Sequence, residues 1–227
     1  MKVAIQISGQ TRGKEEAFPS LKKNILDVLD CDIYIQTCED SSSEGLTNLL
    51  SSLDIKPIYL DIRKDFFIKK NCIRPITAPK TDDSIQRYFQ QLYGLMLVNE
   101  ARNNSGIRYD WVIRTRSDLR YTNLIPDLSK LDSRKMYVPL RDDCLGMNDR
   151  FAISCPENMD YYCDTFNWID TLDRPFFNPE TLLKHRMRIK GIEVEKMNID
   201  IHRCGKSEAK GAKVKWQNII GKGNMYV

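Results

Sequence analysis

A chain of 227 residues with 41% hydrophobic and 29% charged side chains is large enough for one good core and reads as a globular protein, not a disordered or fibrous one. No run approaches the roughly 20 apolar residues of a membrane span, and the short apolar run in the opening MKVAIQISGQTRG reads as a first strand, not a secretory signal. The net charge of +4 is mild and fits an anionic small ligand, while seven cysteines without a CxxC pair read as reduced small hydrophobes, not a disulfide framework or zinc site.

Val3, Ile5 and Ile7 alternate with Ala4 and Gln6, which predicts a central strand over 3–7. SGQTRG follows directly. Its glycines free the backbone to approach a ligand, and Ser8, Gln10, Thr11 and Arg12 supply donors. It is neither a Walker motif nor GxGxxG, so by itself it is a strand-to-helix turn as readily as a phosphate loop. Phe18, Leu21, Ile25 and Val28 predict a helix over 15–29, with Pro19 tolerated in its first turn, and a second strand is predicted over 32–37. Strand, helix, strand in so short a span implies a parallel pair with a right-handed crossover.

A short helix near 45–53 and a strand over 57–60 extend the alternation, and 64–80, with Pro75 and Pro79, reads as a loop with some extended structure. Asp83 or Ser84 caps a long helix reaching about Arg102, whose buried stripe is Ile85, Tyr88, Phe89, Leu92, Leu95 and Met96. Gln90 and Gln91 on that helix stay outside the predicted site. Strands are predicted over 111–113, 136–140, 151–153, 192–194 and 199–202, and helices over 156–168 and 178–190. Asn178, Pro179 and Glu180 form the second helix start: N-cap, first-position proline, first-turn acid. From Arg203 to Lys222 the sequence carries six basic residues and one acid, which reads as a solvated tail over 204–227.

The chain centres on YDWVIRTRSDLRY, residues 109–121. An apolar strand there ends in Arg114, Arg116, Ser117 and Asp118, which suggests either polar groups delivered to the edge of a sheet, where open α/β sheets bind ligands, or an ordinary strand end with a surface Arg–Asp pair. Asp118 is a hard oxygen donor of the type Mg²⁺ or Mn²⁺ prefers, and Arg116 grips phosphate through a planar fork. Asn148, Asp149 and Arg150 precede a buried strand and either line a cleft or cap a turn.

The order of SGQTRG, YDWVIRTRSDL, NDRFAIS, NPETLLKHRMRIKGIEV and a late His202 resembles glycosyltransferases of the GT-A fold, in particular small virus- and bacterium-encoded enzymes of surface-glycan synthesis. The resemblance covers most of residues 1–203. It implies a GT-A-like, Rossmann-related single α/β domain with a mixed, mostly parallel sheet flanked by helices. It also implies a UDP- or GDP-sugar donor, Mn²⁺ or Mg²⁺, and a hydroxyl acceptor on a glycan or glycoprotein. By that resemblance Ser8, Gly9, Gln10 and Arg12 form the first nucleotide loop and Thr37 contacts base or ribose. Arg116, Ser117 and Asp118 stand at the Asp-x-Asp metal motif, with Arg116 at its first acidic position. His202 joins Asp118 at the metal or diphosphate, and Glu180 lies in the acidic motif that supplies the catalytic base. A cytoplasmic protein is the default, in the host cytoplasm if virus-encoded.

An inverting transferase needs a carboxylate to take the acceptor proton, and Glu180 and Asp149 are the candidates; a retaining one does without. A helix N-terminus keeps Glu180 ionised but weakens it as a base. Two rivals remain beside the transferase. Arg116 at the first acidic position suggests a sugar-nucleotide-binding module without catalysis. A sugar nucleotidyltransferase usually has a lysine in its glycine-rich loop, whereas here Lys14 lies just beyond. Nucleic-acid binding is a third option because of the basic tail, although no aromatic-interleaved basic surface elsewhere supports it.

Overall fold

The computed structural model describes residues 1–70, 82–172 and 178–205, the side chains of residues 82–84 excepted. The predicted cap at Asp83 or Ser84, the 71–80 part of the predicted loop and the basic tail beyond residue 205 lie outside the described residues. Strands β1 (Val3–Ser8), β2 (Cys31–Cys38), β3 (Tyr59–Arg63) and β4 (Trp111–Arg116) run parallel, in the order β3-β2-β1-β4. Strand β5 (Leu119–Tyr121) leaves this sheet, and β6 (Met136–Pro139), β7 (Ala152–Ser154) and β8 (Val194–Met197) extend it as β4-β7-β6-β8. Strand β7 is antiparallel to both neighbours, and β8 is parallel to β6. The mixed, mostly parallel sheet expected from the sequence is therefore present. The last strand, β9 (Ile201–Arg203), pairs antiparallel with β5 in a separate two-stranded ribbon.

Strand alternation sorts the core into two layers. Val3, Ile5 and Ile7 face Phe18 and Leu21 of α1 (Lys14–Leu21) and Leu46 and Leu50 of α2 (Leu46–Ser52). The opposite face packs Ala4, Tyr34 and Val112 against Leu92, Leu95 and Val98 of α3 (Asp82–Asn104). Met159 of α4 (Pro156–Cys163), which precedes the short α5 (Thr165–Trp168), and Leu182, Leu183 and Met187 of α6 (Pro179–Lys190) complete that layer. Gln6 and Ser8 also belong to this face, so β1 presents polar groups beneath α3. Gln6 Nε2 donates to Asn99 Oδ1 at 2.8 Å, and Asn99 Nδ2 donates to Asp160 at 2.8 Å.

Several boundaries differ from the sequence reading. The predicted helix over 15–29 is α1 followed by a π turn, Lys22–Leu26, just past Pro19, which sits inside the helix and gives no N–H to its ladder. The predicted helix over 156–168 divides at Asp164, whose ψ of 10° leaves the helical range. The C-terminal strands lie one to three residues later than expected, and β5 falls where a plain connection was expected. Among the described residues no helix is long and apolar enough to cross a membrane.

Two glycines mark close approaches. Gly13 has a φ of +65°, and a Cβ there would meet Cys204 Cβ at 2.4 Å, so the start of α1 packs directly on the end of β9. A Cβ on Gly146 would lie 2.0 Å from the Glu180 carbonyl group, because Met147 N–H bonds that oxygen at 3.0 Å. Such overpacking costs about 1–3 kcal/mol. Gly146→Ala is expected to lower the urea midpoint at an unchanged slope. An unmoved midpoint would show that the loop before β7 is not held against α6.

Candidate active site

Parallel strands β1, β2 and β4 end side by side, with Ser8 in register with Gln36 and Arg116. The chain leaves β1 toward β2 on one side, and β4 lies on the other, which is the crevice where open α/β sheets take ligands. A cavity of about 400 Å³ opens there. Ser8, Gly9, Gln10 and Arg12 line it from the loop after β1, with Gln36 and Cys38 from β2 and Asp65 just beyond β3. Arg87, Tyr88, Gln90 and Gln91 line it from α3, and Arg116, Pro179 and Arg203 close the other side.

The loop after β1 is held from behind. Thr37 Oγ1 donates to the Gly9 carbonyl at 2.8 Å. Ser117 Oγ lies 2.8 Å from the same carbonyl and 2.9 Å from that of Gln10. Thr37 and Ser117 are buried, so the structure sets these two predicted ligand contacts as supports of the loop. Gln10 Nε2 donates to Asp40 at 3.0 Å. Gly94 of α3 lets Gln36 in, since a Cβ there would stand 2.3 Å from Gln36 Oε1.

Asp118 is 1% exposed and turned inward. Arg116 Nε and Nη2 hold its two oxygens at 2.7 and 2.8 Å, and Arg203 Nη2 lies 3.5 Å away. Burial alone would raise the Asp118 pKa. The hydrogen bonds and charge of Arg116, then the charges of Arg203 and Arg12, hold it below the ordinary carboxylate value. Burial and the neighbouring Arg116 press the other way on Arg203 and lower its pKa. Ser8 is 2% exposed, and its hydroxyl, like Arg203 Nε, has no hydrogen-bond partner among the described residues.

Asn178 caps α6, its Oδ1 accepting from the Glu180 and Thr181 amides at 2.9 and 3.1 Å. The predicted lowering of Glu180 by the helix start does not prevail. Burial first, then the charge of Asp149, raise its pKa above the ordinary glutamate value, against its own helix backbone, Cys144 and Arg150. Asp149 is buried and accepts from Gln91 Nε2 at 2.8 Å, so it stands behind a residue of the cavity wall. Buried Arg114 donates to the Asp149 carbonyl. In the adjoining loop Asp142, Cys144 and Leu145 all have positive φ, a concentration of strain beside Glu180.

The predicted metal pair is not brought together. His202 faces outward on β9 opposite Arg120, 49% exposed, with Nε2 3.3 Å from Asp200. It lines a second cavity of about 180 Å³ with Arg141, Asp142 and Asn148. Both Asp118 oxygens are held by a guanidinium, and among the described residues no three His, Cys, Asp or Glu side chains gather as a ligand set. This donor set does not fit Mn²⁺ or Mg²⁺, which need several free oxygen ligands. The physical reason is Arg116: the residue at the first acidic position neutralises the second.

Sequence reasoning passed over Arg87, Gln90, Gln91 and Arg203 as cavity residues. The spacing 87, 90, 91, 94 is itself a helical stripe, polar and ending in glycine, beside the apolar one. Arg203 was assigned to the edge of the tail.

The family described as "Domain of unknown function (DUF7796)" matches residues 1–204. No curated protein sequence matches the chain. Among solved structures, the apo-form glycosyltransferase GlyE of Streptococcus pneumoniae TIGR4 is similar at 12% identity and a TM-score of 0.49. The alignment covers 86% of this chain and 44% of that one, so this chain spans less than half the length of GlyE.

A raised carboxyl pKa is a cost to the fold that is absent below the unfolded value and complete above the folded one. Glu180→Gln is therefore expected to gain urea midpoint relative to wild type as pH rises from 4 to 8. A difference that stays flat across that range would contradict the burial of a charged Glu180.

Proposed function

We propose that this chain, which belongs to the DUF7796 family, transfers a sugar from a nucleoside-diphosphate donor to an acceptor hydroxyl on a glycan or glycoprotein. The observation that carries this reading is a cationic cavity whose wall includes Pro179, the residue next to Glu180. Guanidinium groups of Arg12, Arg116 and Arg203 gather at the carboxyl ends of parallel strands, and a carboxylate of raised pKa, Glu180, follows Pro179 at the cavity wall. The first suits a leaving pyrophosphate, and the second suits a proton acceptor. The motif order that resembles GT-A enzymes supports the same reading, since SGQTRG and the end of YDWVIRTRSDL both reach this cavity.

In glycosyl transfer the bond from the anomeric carbon to the diphosphate breaks, and negative charge grows on the leaving phosphate. Fixed cations placed there before the reaction stabilise that charge, one such donor contributing about 3 kcal/mol. Arg116 is suited to this because Asp118 fixes its plane while leaving other N–H groups directed elsewhere. Glu180 accepts the acceptor's proton, and its raised pKa makes it a stronger base than an ordinary glutamate. Asp149 tunes Glu180 by its charge and is tied to the wall through Gln91.

The test is incubation with a panel of UDP- and GDP-sugars, reading nucleoside diphosphate release and glycosylated product. Glu180→Gln should lower kcat about 10²-fold or more with the donor KM within about threefold. The wild-type rate should fall with acidity through a pKa above that of free glutamate, a limb missing from the residual activity of the variant. Turnover unchanged in Glu180→Gln removes this residue as the base. Donor binding without product from any sugar favours the non-catalytic binding module, which the capture of Asp118 by Arg116 also suits.

A further inference from the structure

From the grouping of Arg12, Arg116 and Arg203 around one buried carboxylate, we infer that the cavity binds a pyrophosphate bridge directly, with guanidinium groups in the place of a divalent cation. The inference rests on the donor class proposed above and adds how that donor is held.

The ion pair of Asp118 is complete without Arg12 or Arg203. Both carboxylate oxygens are met by Arg116 at 2.7 and 2.8 Å, and the contact from Arg203 at 3.5 Å is too long for a good hydrogen bond. Arg12 makes no hydrogen bond or ion pair among the described residues, yet it lines the cavity. The chain after β9 is pressed against it: a Cβ on Gly205 would meet Arg12 Cβ at 2.8 Å. Fold stability gains nothing from crowding like charges, so the crowding needs an anion to complete it.

Charge and donor counts agree on which anion. Four guanidinium groups, Arg12, Arg87, Arg116 and Arg203, against two carboxylates, Asp65 and Asp118, leave about two positive charges, matching the about two negative charges of a pyrophosphate diester. Arg116 spends two of its five N–H groups on Asp118, and among the described residues Arg12 spends none. Planar forks of this kind are suited to phosphate oxygens. Asp118 is then a positioning residue that sets the plane of Arg116, not a metal ligand.

Isothermal titration calorimetry of the full chain with inorganic pyrophosphate, UDP and GDP, in EDTA and then in Mn²⁺, tests this. Binding of at least one nucleoside diphosphate in EDTA is expected, with less than about a threefold change on adding Mn²⁺. Arg203→Ala and Arg12→Ala should each weaken it about tenfold or more. Asp118→Asn should weaken pyrophosphate binding less than either arginine variant, because it removes a support of Arg116 and an opposing charge together. Binding that appears only with Mn²⁺ and is lost in Asp118→Asn overturns the inference and leaves the donor reading standing. Failure of all three ligands to bind folded protein in either buffer overturns both. Circular dichroism confirms the fold of each variant; should Asp118→Asn unfold, the two arginine variants with the Mn²⁺ comparison still decide the matter.

Discussion

The bidentate pair between Arg116 and Asp118 is the constraint on which the rest of the cleft depends. It closes the sharp step from β4 to β5 across only one intervening residue. That residue, Ser117, pins the carbonyls of Gly9 and Gln10, while the Asp118 carbonyl accepts from the Cys204 amide at 2.8 Å. One tripeptide thus ties together the loop after the first strand, the central strand and the last strand. Removing one member of such a buried pair typically costs about 3–5 kcal/mol, because the other charge is left without compensation. Stability of the fold and geometry of the cleft are therefore set by the same two side chains.

Behind the cleft the sheet is not a simple oil layer. On its α3 face, β1 carries Gln6, and a chain of polar contacts runs from Gln6 to Asn99, Asp160 and Arg102. Arg114, fully buried, reaches the Asp149 carbonyl, and Arg186 bonds the Tyr161 carbonyl at 2.8 Å and Asp164 at 3.0 Å. The partnered atoms of these groups rigidify the layer that supports the cavity wall, while Arg114 Nε and Nη2 and Arg186 Nη1 are buried without a hydrogen-bond partner among the described residues.

How much of this was legible depended on whether the signal was local. The alternation of Val3, Ile5 and Ile7, and the apolar stripe of α3, state their own structure, and the parallel core follows from them. Strand β5 did not, because three residues carry no periodicity and their partner, β9, lies some eighty positions further on. The loop after β1 was recognised as a site element from its glycines and donors, yet the sequence is silent on Thr37 and Ser117 bracing it from behind. Glu180 shows the limit most clearly. A helix start argues for a lowered pKa, and only the fold reveals the burial that pushes it upward, with the charge of Asp149, thirty-one positions earlier, adding to it. The metal reading of Asp118 and His202 turned on which neighbour takes up a residue that is a ligand by type: Arg116, two positions away, holds Asp118, and only the fold puts His202 on the outward side of β9.

The packing of Gly13 against Cys204, and of β9 against β5, brings the last described strand into the neighbourhood of the first. On a ribosome, Ser8 and Arg12 emerge early, while Arg203 follows almost two hundred residues later. The pocket therefore stays open-sided throughout synthesis and becomes whole only when the closing strand docks. A nascent chain that ends before β9 lacks one of the cavity's cations and the strand that closes that side.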